Sequence, residues 1–199
     1  FRYMPMRIIE VDLPQPSGRM QRKPIWYMVY SVTNAGKAMH PEANEDGTYR
    51  IEFVDKPIRF VPAFLLHCIR LDKSYPDRVI PAAVGPITLR EDPNRRFYNT
   101  AEIVRELRVG ETVWGVATWE DLDPRMNRFC VFVNGLTNAY RWSDDAEKVK
   151  PGVPLGTGRH LMRKTLRLNF WRPGDEFDPK ERQIRVGMPG ELDYQWVYR

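Results

Sequence analysis

The chain holds three histidines, His40, His67 and His160. Hydrolytic zinc sites place ligands at helical or hairpin spacing, such as two histidines four apart, and no two of these are close. His67 lies between Leu66 and Cys68 in an apolar run. Neighbouring strand residues point to opposite faces, so His67 and Cys68 are not a base and its nucleophile. His67 is expected to be a buried, hydrogen-bonded side chain. Glu42-Ala43-Asn44-Glu45-Asp46-Gly47 spaces its oxygens like a calcium loop. The closing position is Phe53, however, with Glu52 one place short, and a polar hairpin loop is expected instead. Glu120-Asp121-Leu122-Asp123-Pro124 is a second acidic cluster, at a strand end. It reads as a solvated turn closed by proline rather than a cation site or the acids of a hydrolase. Gly152, Gly156 and Gly158 lack the spacing and the Lys-Ser or Lys-Thr of a phosphate cradle, and read as a linker with Pro151 and Pro154. No Gly-x-Ser-x-Gly elbow occurs. The expectation is a protein that is not an enzyme and that needs neither metal nor cofactor.

Recognition is better served. The net charge is +5, and Arg supplies 23 of the 31 basic residues. Arg grips carboxylates and phosphates with two parallel hydrogen bonds and stacks on rings. Acids interleave with the bases almost everywhere, which argues against a nucleic-acid surface. The acid-free run from Arg159 to Arg172 is the exception, with Arg159, Arg163, Lys164, Arg167 and Arg172 beside Phe170 and Trp171. On a strand, Arg163, Thr165, Arg167, Asn169 and Trp171 share one face. That face either pairs with Glu176, Asp178 and Glu181 of the following arm or meets a partner: a protein, a polyanion or a carbohydrate. A second segment, Tyr140-Arg141-Trp142, follows turn-forming Asn134-Gly135 and Thr137-Asn138. Tyr140 and Trp142 would project together there, as interface anchors do. The candidate partner-binding residues are therefore Arg163, Arg167, Trp171, Arg172, Tyr140, Arg141 and Trp142.

These residues need strands to carry them, and the composition supplies strands. In 199 residues, 17 Val, 10 Ile and 24 aromatics outweigh 10 Ala and 13 Leu, with 17 Pro and 13 Gly as punctuation. A mostly-β chain of about ten antiparallel strands is expected, with no apolar stretch near the ~20 residues that span a bilayer. Residues 6–13, 25–34, 49–54, 60–71, 112–119, 128–135, 161–171, 183–186 and 193–198 read as strands. Tyr49, Ile51 and Phe53 are expected inward, and Arg50 and Glu52 outward. The proline-bearing segments 79–84 and 87–90 read as edge strands. One short helix is expected at Thr100–Leu107, capped by Thr100. The expected organisation is a β-sandwich core over 1–150 with a β extension, 151–199, packed on the same domain.

The stretch from Tyr27 to Gly36, with Val32-Thr33-Asn34 before its glycine, resembles the strand and turn of immunoglobulin-like accessory domains in bacterial exported proteins. Val109-Gly110-Glu111, leading into Thr112–Trp119, is similar to a later segment of those domains. The resemblance covers residues 5–140 and implies an immunoglobulin-like antiparallel β-sandwich in an extracytoplasmic setting, the periplasm or cell envelope. Cys68 and Cys130 stand 62 positions apart, an interval like that of the immunoglobulin inter-sheet bridge, but no Trp lies between Trp26 and Trp114. Two buried free thiols are expected. The sequence opens at Phe1, from which an upstream signal or membrane anchor is expected. Together these features favour a structural or partner-binding subunit of a larger assembly.

Overall fold

A computed structural model describes residues 1–145, 152, 154, 156–173 and 182–199. The chain runs through β1 (Arg2–Tyr3), β2 (Arg7–Pro14), β3 (Met20–Thr33), β4 (Ala38–Ala43), β5 (Tyr49–Val54) and β6 (Ile58–Phe60). Next come β7 (Ala63–Cys68), β8 (Lys73–Pro76), the helix α1 (Pro81–Glu91), β9 (Arg105–Leu107) and β10 (Thr112–Trp119). The last elements are β11 (Arg128–Asn134), β12 (Tyr140–Asp144), β13 (Arg159–Trp171), β14 (Arg185–Val186) and β15 (Tyr194–Tyr198). Among the described residues strands make up 51% and helix 6%, so the all-β class holds. Two compact units emerge: Phe1–Val61 with Asp77–Asp121, and Pro62–Pro76 with Leu122–Arg199. β13 and β15 share a sheet with β7 and β11.

The first unit is organised by β3, which pairs antiparallel with β1 and β2 and with β10. Both of its faces are buried, as its largely apolar sequence from Ile25 to Val32 requires. One face joins Ile25, Tyr27 and Val29 to Val11, Leu13 and Val116, and α1 covers it with Ala83 and Ile87. The two segments that carry the immunoglobulin-like resemblance meet at one end of this sheet. Asn34 donates its backbone N–H to Glu111, and its carbonyl accepts from Gly110 at 2.7 Å. The Asn34 side chain also donates to the carbonyls of Lys56 and Leu107. Gly36 turns the chain at φ +74°, and a Cβ there would collide with Asp55 Oδ1.

The helix is where sequence reasoning erred. Of the segments 79–84 and 87–90, expected as edge strands, all but 79 and 80 belong to α1, which Ile80 precedes as the cap position. Pro81 sits in its first turn, where a missing N–H costs nothing, and Ala83 and Ile87 form a one-turn apolar stripe against the sheet. Its last turn is locked down. The Glu91 side chain, 4% exposed, accepts from Tyr27 Oη at 2.5 Å and from Arg7 at 3.0 Å, while Arg90 donates to the Ile8 carbonyl. Burial first, then Glu91, pushes the Tyr27 hydroxyl well above its ordinary pKa.

The helix expected at Thr100–Leu107 is one turn followed by β9. Asn99, not Thr100, is the cap. Its Oδ1 accepts from the backbone N–H of Ala101 and Glu102, and Glu102 returns a bond to the Asn99 N–H. The chain then extends so that Ile58–Phe60 can pair with Arg105–Leu107. Of Ile103, Val104 and Leu107, the apolar stripe expected of that helix, Ile103 and Leu107 are fully buried and Val104 is half-buried.

β4 and β5 form a separate two-stranded ribbon, and β4 was not foreseen. The Glu42–Gly47 segment is the expected hairpin loop. Asp46 Oδ1 accepts from both the N–H and the hydroxyl of Thr48, which holds its carboxyl below the usual range. The alternation of Tyr49, Ile51 and Phe53 is real, but those side chains do not point inward: they are 72%, 65% and 68% exposed.

In the second unit, β13 is the spine, pairing with β11, β12, β14 and β15, and β11 continues through β7 to β8. Leu166, Leu168 and Phe170 alternate onto a buried face with Val131, Val133, Phe129, Phe64 and Leu66. Phe129 and Phe170 stack across the pair with centroids 5.7 Å apart. Cys68 and Cys130 are both buried free thiols. Their strands explain this: Cys130 lies opposite His67, so Cys68 projects from the other face. His67 itself is only half-buried and bonds through Nδ1 to Ser74 Oγ at 3.0 Å.

Candidate interaction surface

Strand register decides which of the singled-out residues meet. β12 pairs with the N-terminal half of β13, setting Tyr140 opposite Arg163 and Trp142 opposite Leu161. Tyr140, Trp142 and Leu161 therefore share one face, and each is more than half exposed. The two rings lie 5.9 Å apart. Arg159, on the same face, sits 5.5 Å from the Trp142 ring and grips Asp144 through two bonds of 2.7 and 2.8 Å. That grip holds the Asp144 carboxyl below its ordinary range. Arg199 exchanges backbone hydrogen bonds with Arg163 and lies 3.9 Å over the Phe132 ring.

Arg141 falls on the opposite face of the ribbon, 4.1 Å over Tyr198. Lys164 lies there too, 5.3 Å from the Trp196 ring. Both rings come from β15, which pairs along β13 from Lys164 to Leu168. Tyr194 and Trp196 are among the exposed large side chains of the unit. Each exposed cation–ring contact contributes about 0.5–1 kcal/mol, and together they hold flat rings at the surface in defined poses.

The remaining candidates play other parts. Arg167 is mostly buried and donates to Glu191 at 3.0 Å. Trp171 is half-buried beneath Arg185, 5.0 Å from its ring centroid. Arg172 is buried: its guanidinium donates to the carbonyls of Met126 and Pro124, and its N–H to Asn127. It pins a turn and does not reach solvent. Glu176, Asp178 and Glu181, weighed as partners for this face, lie outside the described residues.

The acid-free run thus acquires its acids from elsewhere in the unit, β12 and the turn before β15. Asp144 answers Arg159 and Glu191 answers Arg167, while exposed Arg163 meets neither acid nor stacked ring among the described residues. Sequence reasoning missed Leu161, Trp196, Tyr198 and Arg199. A signal was present for the aromatics: Tyr194, Trp196 and Tyr198 fall at alternate positions, one face of a strand.

The second acidic cluster is consumed in ion pairs. In the first unit, Glu120 meets Lys23 at 3.5 Å and Arg78 at 3.0 Å, and Asp121 meets Lys23 at 3.0 Å, lining a polar cleft of about 370 Å³. In the second unit, Asp123 accepts from Arg125 and Lys73, which hold its carboxyl far below the usual range. Asp123, held by two cations, is poorly set up to take a proton. Comparison with known protein families, with curated proteins and with solved structures found no match for this chain.

Proposed function

We propose that this chain is a non-catalytic, partner-binding subunit, and that its contact surface is an aromatic–cation corner, the face of the β12–β13 ribbon that carries Tyr140, Trp142 and Leu161 with Arg159 and Arg163. One observation carries the reading: Tyr140, Trp142 and Leu161 stand more than half exposed on one face, beside Arg163. Rigid aromatics next to an arginine are the composition of binding hot spots, because they bring large contact area at small entropic cost. The partner is a protein. A polyanion-binding module is the competing reading, and the pairing of Arg159 and Arg167 with acids and the burial of Arg172 weigh against it.

The finer architecture, an immunoglobulin-like sandwich, is part of the same proposal. Its support is the antiparallel pairing of β3 with β10 and the hydrogen bonds between Asn34 and the Gly110–Glu111 turn. An exported or membrane-tethered setting rests on the resemblance of those two segments alone.

Affinity capture from the native source tests the reading. The wild-type chain should retain a discrete protein that the Tyr140→Ala/Trp142→Ala double variant loses, with the fold of the variant checked by circular dichroism. Equal capture by both chains would sink it. So would strong salt-dependent retention on heparin that Arg163→Glu abolishes, since that is the behaviour of a polyanion binder.

A further inference from the structure

The β4–β5 ribbon presents a feature that the aromatic–cation corner does not explain. Register places Met39 opposite Phe53, Pro41 opposite Ile51 and Ala43 opposite Tyr49, so all six side chains share one face. All six are exposed, and Met39, Tyr49, Ile51 and Phe53 each keep roughly two-thirds of their surface in water. The opposite face is charged and internally satisfied, with Arg50 bridging Glu42 at 2.7 Å and Glu52 at 3.0 Å. The ribbon is thus amphipathic, with its apolar side outward. A two-stranded ribbon with no third strand is marginal in water, and a contiguous apolar face of this kind marks a contact surface.

We infer that this face docks against the same face of a second copy of the chain. Three observations select that occupant. The face carries no charge, so it offers nothing to an acidic or basic partner and is complementary to another uncharged, flat face. Its area suffices: four large side chains at these exposures present about 500 Å² per copy, or about 1,000 Å² for a two-fold pair, the lower bound for a specific interface. The ribbon tip bears Glu45 and Asp46, which disfavours tip-first insertion into an anionic lipid surface. Two ribbons stacked face to face form a four-stranded sandwich, and a two-fold axis through Ile51 makes the contact self-complementary.

Sedimentation equilibrium on the full chain, from micromolar to millimolar concentration, reads the result. The wild type should move from monomer to dimer, a twofold rise in mass, and Ile51→Asp or Phe53→Asp should hold it at monomer with an unchanged circular-dichroism spectrum. Cross-linking gives a second readout that does not depend on a charged variant. Ile51→Cys should oxidise to a covalent dimer, whereas Arg50→Cys, on the other face, should not; the native thiols are buried. A wild type that stays monomeric throughout overturns the inference. A dimer that survives both Asp variants overturns it too, as does a monomer that binds phosphatidylglycerol vesicles through Ile51. Tyr140→Ala/Trp142→Ala should leave the dimer intact, so failure here and failure of the partner-binding reading are distinguishable.

Discussion

Two ribbons of this molecule expose aromatic side chains, and they do so differently. On β12, β13 and β15, the rings of Trp142, Trp196 and Tyr198 each carry a cation, from Arg159, Lys164 and Arg141. On β4 and β5, Met39, Tyr49, Ile51 and Phe53 stand in a stripe with every charge on the reverse side. A ring under a guanidinium is at home in water and can trade that contact for a ligand group. A bare apolar stripe gains nothing from water and gains most by meeting another stripe. Exposure alone therefore does not define a binding surface; what shares the face with the ring determines the kind of partner it takes.

The largest test of this comparison sets both ribbons against the interior. Phe170→Ala should cost about 3–5 kcal/mol of unfolding free energy, because it opens a void beside Phe129. At low protein concentration, Phe53→Ala and Tyr140→Ala should each stay within about 0.5 kcal/mol of wild type in urea denaturation, as surface positions do. A large loss from either would mean that its ring is part of a core.

The next test contrasts two cation–carboxylate contacts. Glu91→Ala leaves the Tyr27 hydroxyl and part of Arg7 without an acceptor and should destabilise the first unit by about 1–3 kcal/mol. Asp144→Ala, which breaks an exposed pair on the recognition ribbon, should leave the denaturation midpoint unchanged. If the two variants behaved alike, the distinction between locking contacts and surface contacts would fail.

Titration sharpens the same distinction. The folded chain holds the Tyr27 hydroxyl above its unfolded pKa, so its contribution is intact below about pH 10 and is lost as pH rises beyond that. Tyr27→Phe should make the alkaline fall in stability shallower. Asp123 is shifted the other way, below its unfolded value. Its contribution is intact above about pH 4 and lost on further acidification, and Asp123→Asn should flatten that acid limb. Smallest of all, Arg163→Glu should reduce heparin retention only slightly, with a salt slope change of about one.

How far the sequence revealed this depends on where each element's partners lie. β3, β10, β11 and β13 were legible because each carries a long apolar or alternating run that is largely buried, from Ile25 to Val32 in β3 and from Thr165 to Phe170 in β13. Alternation names the residues that share a face but not which face is covered, so Tyr49, Ile51 and Phe53 were grouped correctly and turned the wrong way. α1 was hidden because Pro81, Gly85 and Pro86 look like strand-edge punctuation, and only the sheet beneath Ala83 and Ile87 makes the helix worthwhile. The Asn99–Glu102 box is a true helix-start signal, overruled after one turn by pairing with β6. At the candidate surface, Tyr140 and Trp142 were legible from their spacing. The fate of Arg167 and Arg172 was not, because Glu191 and the carbonyls of Pro124 and Met126 are distant in sequence.

The central claim is that the Tyr140–Trp142–Leu161 face meets a protein. A photoreactive phenylalanine analogue installed at Leu161, in the cells that make the chain, measures this directly. The account predicts one discrete covalent adduct with a second protein, absent when the same group replaces exposed Met20. No adduct from position 161, or the same adducts from both positions, would contradict it.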